Sequence, residues 1–159
     1  MRITVLTVGK IKEKYLKDAL DEYAKRISRY HKLEILEVAD EKTPDGASEA
    51  EEDRIRQTEG ERILQKIPQG AYVVTLEILG QMLDSVEFSR KIADLGVQGE
   101  SHLCFIIGGS LGLSPEVSKR AKWKLSFSKM TFPHQLMRVI LLEQIYRACR
   151  IQSGEPYHK

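Results

Sequence analysis

Hydrophobic residues follow two spacings along the chain, and each spacing predicts one kind of element. Short apolar runs rich in β-branched residues predict strands over residues 3–8, 33–38, 71–76, 103–107 and 124–127. Apolar residues three and four positions apart predict intervening helices over residues 12–29, 48–67, 84–95, a short stretch from 115, and 134–149. Strands that alternate with helices, with apolar central strands, predict an α/β fold with a mostly parallel sheet in three layers.

The helix over residues 134–149 is unusual because it is apolar around most of its circumference. Its apolar positions are Leu136, Met137, Val139, Ile140, Leu141, Leu142, Ile145, Tyr146, Ala148 and Cys149. These are too many for one face of a surface helix. The helix either lies at the centre of the core, or packs on the sheet with one side and on a second subunit with the other. In so small a protein we favour the second arrangement, which predicts a homodimer.

Length and composition limit the function classes. A chain of 159 residues is long enough for one domain, over residues 1–159, and short for two. No apolar run approaches the roughly 20 residues that span a bilayer, and the N-terminus resembles a strand rather than a signal peptide. Cys104 and Cys149 lie in apolar segments, which predicts buried free thiols in a reducing cytoplasm. The four histidines show no ligand spacing, so we expect no metal site.

Charge is distributed unevenly along the sequence. The net charge is +5 over residues 1–32, −10 over residues 33–118 and +7 over residues 119–159. Two basic ends around an acidic middle could form a phosphate-binding face if the ends meet in space. A solvated surface with no partner explains the same distribution. Charge alone therefore supports nucleic-acid binding and a solvated surface about equally.

Three strand ends are candidates for a ligand site, because open α/β sheets bind ligands outside the carboxyl ends of their strands. They are Leu76-Glu77, Gly108-Gly109 and Phe127-Ser128. The paired glycines match neither a dinucleotide-binding nor a P-loop pattern, and a simple turn is their alternative explanation. The loop over residues 126–134 mixes aromatic, hydroxyl and basic groups, and could wrap an adenine ring. No triad, carboxylate pair or metal motif is present, which fits methyl transfer from a cofactor that carries the reactive group.

Four stretches together resemble one protein family. Residues 105–112 read FIIGGSLG, residues 125–134 read LSFSKMTFPH, a helix carries Arg138 and Tyr146-Arg147, and residues 156–158 read PYH. This combination resembles the ribosomal RNA large subunit methyltransferase H family of the SPOUT superfamily. The resemblance covers essentially the whole chain, including its length and the N-terminal strand with Val8-Gly9-Lys10.

The resemblance implies a SPOUT-type fold with a trefoil knot in the C-terminal half, and a homodimer. It implies methylation, with S-adenosylmethionine as the methyl donor, of N3 of a pseudouridine in large-subunit (23S) ribosomal RNA near the decoding centre. The ribosome or its RNA would then be the partner. The residues that it implies as cofactor contacts are Leu76, Gly108, Phe127, Ser128, Lys129, Met130, Thr131 and Phe132.

Methylation of an imide nitrogen requires a base or a cation that stabilises the oxyanion, because the nitrogen is a poor nucleophile until its proton leaves. The candidate catalytic residues are His158, Tyr157, Arg147 and His134. A flexible tail ending in Tyr157 and His158 could close over the target base. The alternatives are a disordered tail, a dimer salt bridge for Arg147 and a helix cap for His134. The candidate phosphate contacts are Lys10, Lys12, Lys122, Lys124 and Lys129.

Two other functions compete with this interpretation. A non-catalytic RNA-binding factor associated with the ribosome would explain the basic ends without binding a methyl donor. A flavodoxin-like or nucleotide-dependent enzyme would need a phosphate-cradling loop after the first strand, where residues 9–12 offer a single glycine.

Overall fold

The computed structural model describes residues 1–159 and contains five strands that alternate with five helices. The strands are β1 (Arg2–Val8), β2 (Lys32–Val38), β3 (Tyr72–Met82), β4 (His102–Ile107) and β5 (Trp123–Ser126). The helices are α1 (Lys14–Ile27), α2 (Glu49–Lys66), α3 (Ser85–Val97), α4 (Pro115–Arg120) and α5 (His134–Gln152). All the predicted elements are present. The largest differences are β3, which ends six residues later than predicted, and α5, which ends three residues later.

The five strands form one sheet in the order β2-β1-β4-β3-β5, and every pair is parallel. The register aligns Arg2 with Lys32 on one side and with His102 on the other. The prediction of a mostly parallel α/β sheet is therefore confirmed. Because all strands run the same way, their carboxyl ends lie at one edge of the sheet.

Helices cover both faces of the sheet, as the three-layer prediction required. Alternate residues of β1 divide between the layers: Ile3 and Val5 pack with α1, α3 and α5, whereas Leu6 and Val8 pack with α2 and α4. The larger core cluster lies under α1, α3 and α5 and includes the aromatic side chains of Phe88, Phe105 and Trp123.

Helix α5 lies on the sheet between α1 and α3. Its buried residues are Met137, Arg138, Leu141, Leu142, Ile145, Ala148 and Cys149. Much of the apolar surface of α5 is thus buried against other elements of the same chain. Leu136 is 37% exposed, however, and Val139 and Ile140 are only half-buried. Apolar surface on α5 therefore remains accessible.

Strand β3 continues past its predicted end through a bulge. Leu76 pairs with Leu125, the chain then leaves the ladder, and Gln81 pairs with Leu125 again. Residues 77–80 therefore project from the carboxyl edge of the sheet. Local patterning did not predict this bulge, because it depends on pairing with a strand more than forty residues away.

The two basic segments of the chain meet, because α1 packs against α5. The end of the chain is held on this layer by polar contacts. Tyr30 donates a hydrogen bond to Glu155 at 2.7 Å, and Arg150 forms an ion pair with Glu155 at 2.7 Å. The two basic ends of the chain therefore lie close together, which was the condition for a shared phosphate-binding face.

Both thiols are free and buried, as predicted, and burial raises the pKa of Cys104 and of Cys149 to about 12. None of the helices is both long and apolar enough to cross a membrane. No group of three or more histidine, cysteine or acidic side chains is arranged to hold a metal ion.

Glu59 of α2 is a buried carboxylate beside the loop that follows β4. Its carboxylate accepts a hydrogen bond from the backbone N–H of Glu41 at 2.9 Å. Burial raises the pKa of Glu59, and the nearby charges of Asp40 and Glu41 add to that effect. Because the pKa is raised in the folded state, ionisation of Glu59 opposes folding at high pH. This opposition disappears as the pH falls through the raised pKa.

We therefore expect Glu59→Gln to increase the free energy of unfolding at pH 8. The substitution removes the buried charge, while the amide oxygen still accepts the hydrogen bond from the Glu41 backbone N–H. The gain should shrink toward pH 5, where the wild-type carboxyl is increasingly protonated. Urea denaturation at both pH values measures the difference. Glu61→Gln, on an exposed position of the same helix, is the matched control. A variant that is less stable than wild type at pH 8 would contradict this account of Glu59.

Candidate functional site

A cleft of about 650 Å³ opens at the carboxyl edge of the sheet. It lies where β3, β4 and β5 end and where α5 begins. Nineteen residues line it, of which ten are hydrophobic. Its volume and mostly apolar lining are typical of sites that enclose a small organic molecule.

The lining contains seven of the eight residues that the sequence suggested as cofactor contacts. These are Leu76, Gly108, Phe127, Ser128, Met130, Thr131 and Phe132. Lys129 is exposed and does not line the cleft. The structure adds Glu77 and Ile78 from the β3 bulge, and His134 and Met137 from α5. Three loops that are distant in sequence therefore converge on one cavity.

The loop after β4 folds tightly back on itself. The Gly112 amide donates a hydrogen bond to the Gly109 carbonyl oxygen at 3.0 Å, and Gly112 has a left-handed φ of +83° that favours glycine. A Cβ atom on Gly108 would lie 2.9 Å from the Gly112 carbonyl carbon and 3.0 Å from Leu113 Cδ2. Gly108 is thus required by the close packing of this loop along one wall of the cleft.

The loop after β5 has few internal hydrogen bonds. Within residues 127–132, only the Met130 amide donates one, to the Ser128 hydroxyl at 2.9 Å. The other amides of this stretch donate to no group of the protein, while Phe127 and Phe132 line the cleft. Apolar side chains beside free backbone donors suit a planar heterocycle, whose faces are apolar and whose edge is polar.

Glu77 is one of the residues that line the cleft, and its carboxylate is held by two neighbouring hydroxyl groups. Thr75 donates a hydrogen bond to its Oε2 at 2.6 Å, and the Ser118 hydroxyl lies 2.9 and 3.1 Å from its two oxygens. Thr75 is on β3 and Ser118 is on α4, so two elements fix the orientation of this side chain. Glu77 was predicted only to lie at a strand end. Its position depends on the bulge, which the sequence did not predict.

His134 is the first residue of α5 and also lines the cleft. Burial lowers the pKa of His134, and the positive charge of Arg138 lowers it further. The imidazole is therefore neutral near pH 7. The helix has no side-chain cap, so the alternative of His134 as a helix cap is wrong.

Arg138 fixes the start of α5 to the rest of the sheet. Its side chain is 1% exposed and forms an ion pair with Glu37 at 2.6 Å. It also donates hydrogen bonds to the carbonyl oxygens of Val8 and Gly9 at 2.9 and 2.8 Å. No role was predicted for Arg138 from the sequence. The signal in the sequence is that Arg138 is the only charged residue within the apolar run of residues 136–142.

The three remaining candidate catalytic residues form a second group together with Glu143. We call this group the tail cluster: Glu143, Arg147, Tyr157 and His158. Arg147 forms an ion pair with Glu143 at 2.5 Å, and Tyr157 donates a hydrogen bond to Glu143 at 3.0 Å. Arg147 Nη1 lies 3.0 Å from His158 Nδ1, and its guanidinium carbon lies 4.8 Å from the Tyr157 ring centroid. Glu143, which connects Arg147 to Tyr157, was not predicted from the sequence.

Protonation within the tail cluster follows from these contacts. The hydrogen bond to Glu143 raises the pKa of Arg147, which stays cationic. Burial, followed by the same carboxylate, raises the pKa of Tyr157 to about 12, so it stays a phenol. Arginine has no acceptor atom, so His158 Nδ1 must accept the hydrogen bond from Arg147. The end of the chain is thus packed against α5 in this structure.

The tail cluster is separated from the cleft within one chain. Arg147 follows Met137 by ten residues of α5, and a helix rises about 1.5 Å per residue, so the two lie about 15 Å apart along the axis. Of the four candidate catalytic residues, only His134 lines the cleft. The five candidate phosphate-contacting lysines are all exposed.

The chain is similar to known methyltransferases in sequence and in structure. A family model described as "Predicted SPOUT methyltransferase" matches residues 1–158. A protein from Clostridium novyi named ribosomal RNA large subunit methyltransferase H is 62% identical over 159 residues, which is all of both chains. The protein of the same name from Clostridium kluyveri is 60% identical over the same length.

Two solved structures share the fold at low sequence identity. A probable methylase family protein from Haemophilus influenzae superposes with a TM-score of 0.54 at 11% identity, over 99% of this chain and 70% of that one. The SpoU methyltransferase AviRb from Streptomyces viridochromogenes, in complex with AdoMet, gives a TM-score of 0.50 at 11% identity, over 97% of this chain and 59% of that one.

Removal of the Arg138 charge should destabilise the protein strongly. We expect Arg138→Met to lower the free energy of unfolding by about 3 kcal/mol, because two buried carbonyl groups lose their donor and Glu37 loses its ion pair. Chemical denaturation measures this loss. Arg54→Met, at an exposed position of α2, should change stability by less than about 0.5 kcal/mol. Equal stability of the two variants would show that Arg138 does not fix α5.

Proposed function

Because the chain belongs to the SPOUT methyltransferase family, we propose that it transfers a methyl group from S-adenosylmethionine to large-subunit ribosomal RNA. We propose N3 of a pseudouridine in 23S RNA as the acceptor. The observation that carries the proposal is the convergence of three strand-end loops on one cleft with free backbone donors. The names of relatives at 60% identity or more support the ribosomal substrate.

The residues of the cleft fit the proposed cofactor. The free amides among residues 127–132 would bind the edge of an adenine, and Leu76 and Phe127 would contact its faces. Gly108 leaves room at the wall where the loop after β4 comes closest. When bound, S-adenosylmethionine supplies an electrophilic methyl group, so the protein needs to orient the reactants rather than form a covalent bond. AviRb, which shares the fold, binds AdoMet in its solved structure.

The protein's own groups would prepare the acceptor nitrogen. His134 is neutral because burial lowers its pKa, so it can accept the N3 proton from a base that enters the cleft. Arg147 remains cationic and can stabilise the negative charge that deprotonation leaves on the neighbouring carbonyl oxygens. Tyr157 offers an aromatic face to the base. His158 Nδ1 already accepts a hydrogen bond from Arg147, which favours His134 as the proton acceptor.

A homodimer would bring the two groups of residues together. Within one chain, the tail cluster and the cleft are about 15 Å apart along α5. We propose that the tail cluster of one protomer lies over the cleft of its partner. Apolar side chains near the cleft support this arrangement, since Met130 is 74% exposed, Phe132 37% and Leu136 37%.

Three further features belong to the same proposal. Residues 1–159 form one SPOUT methyltransferase domain, which the sheet shared by both halves of the chain supports. The C-terminal half forms a trefoil knot, for which the family resemblance is the support. The protein acts in the cytoplasm, where ribosomes lie and where its two free thiols stay reduced.

Methylation of ribosomes tests the proposal directly. We expect wild-type protein to transfer a labelled methyl group from S-adenosylmethionine to ribosomes that lack the modification, and mass mapping of the RNA to place it on one pseudouridine. Gly108→Val should lower this activity by at least about 100-fold, because its side chain would displace the loop that forms the cleft wall.

Gly96→Ala in α3 is the matched control, because its new Cβ would meet only the flexible Met1 side chain at 3.3 Å. Its activity should equal that of wild type. A wild-type protein that binds these ribosomes but transfers no methyl group would favour the non-catalytic RNA-binding factor instead.

The tail cluster can be tested by truncation after Ser153. The truncated chain should fold, with a stability loss of about 1–2 kcal/mol from its surface contacts and the packing of Tyr157 on Tyr146. Its turnover on ribosomes should fall by about 100-fold, because Tyr157 and His158 are absent and Arg147 loses its contacts with both. Removal of Lys159 alone is the control. Normal turnover of the truncated protein would remove Tyr157 and His158 from the active site.

A further inference from the structure

Glu77 carries the only formal charge on the surface of the cleft. Among the nineteen lining residues there is no arginine, lysine or aspartate, and the one other titratable side chain is His134. Burial lowers the pKa of His134, so its imidazole is uncharged near neutral pH. Glu77 is therefore the one negatively charged residue of an otherwise uncharged and largely apolar lining.

The Glu77 carboxylate is held in place rather than free to turn into solvent. Thr75, which is fully buried, donates a hydrogen bond to Oε2 at 2.6 Å. The Ser118 hydroxyl lies within hydrogen-bond distance of both oxygens. No lysine or arginine forms an ion pair with Glu77. A fixed carboxylate without a cationic partner attracts a cationic ligand more strongly than a neutral one.

The proposed methyl donor and its product differ in charge. As the methyl carbon bonds to the acceptor nitrogen, the C–S bond breaks and its electron pair stays on sulfur. The acceptor nitrogen loses its proton to the base. The sulfonium thus becomes a neutral thioether, while the amino and carboxylate groups are unchanged. At neutral pH the net charge of the ligand falls from +1 to zero.

We propose that Glu77 is a specificity-determining residue that makes the cleft prefer the cationic donor over the neutral product. The inference rests on the proposed function and adds a way for the reaction to favour product release. Methyl transfer removes the charge that Glu77 attracts, so S-adenosylhomocysteine is held less tightly than the donor that replaces it. Because Glu77 is partly shielded from water, its charge should make the affinity for S-adenosylmethionine about tenfold higher than the affinity for S-adenosylhomocysteine.

Calorimetry on Glu77→Gln tests this role, because the substitution keeps the size of the side chain and removes its charge. The ligands are S-adenosylmethionine, S-adenosylhomocysteine and sinefungin, in which a protonated amine replaces the sulfonium. We expect Glu77→Gln to weaken binding of the two cationic ligands by about tenfold and binding of S-adenosylhomocysteine by less than about twofold. Glu116→Gln, at an exposed position of α4 outside the cleft, is the control and should change none of the three.

If Glu77→Gln lowers the affinity for all three ligands equally, Glu77 only shapes the cleft. If the affinity for all three is unchanged, the charge of Glu77 does not contribute to binding. Either result overturns the inference and leaves the proposed function intact. A wild-type protein that binds none of the three would instead overturn the proposed cofactor. If Glu77→Gln does not fold, the wild-type protein still decides, because S-adenosylhomocysteine bound as tightly as both cationic ligands would contradict a charge preference.

Discussion

The placement of the cleft depends on one buried cation. Arg138 is the only charged residue within the apolar run of residues 136–142 in α5, and a guanidinium removed from water must find partners for its N–H groups. It finds them in the carbonyl oxygens that end β1 and in Glu37 near the end of β2. These partners lie more than a hundred residues away in sequence and at the carboxyl edge of the sheet. The start of α5 is thereby held at that edge, and His134 and Met137 face the cleft.

The parallel sheet then determines which loops can meet. Because every strand runs in the same direction, the loops after β3, β4 and β5 all leave from the edge where Arg138 holds α5. The three loops contribute different chemistry to one cavity. The first provides a fixed carboxylate, the second a closely packed glycine turn, and the third free backbone donors between aromatic side chains. None of these loops could form the cleft alone.

Much of this arrangement could be predicted from local sequence, and the exceptions share a cause. Periodicity gave the ten elements, and the rule for open sheets identified Leu76, Gly108 and Phe127 before the fold was known. The bulge after Leu76 was missed because it requires pairing with β5, and Glu77 was passed over for the same reason. Lys129, which stays a predicted cofactor contact, is exposed and is not among the residues that line the cleft. Glu143 was missed because its hydrogen bond from Tyr157 depends on how the tail packs, which no local pattern encodes.

The free amides after β5 have a further consequence for inhibitor design. A side chain that binds a ligand can be exchanged by a single mutation, whereas a backbone N–H is present in every residue except proline. A compound that recruits the donors between Phe127 and Phe132 would therefore rely on contacts that drug-resistance mutations rarely remove. Escape would require a proline or a change of loop conformation, either of which would also impair the natural ligand.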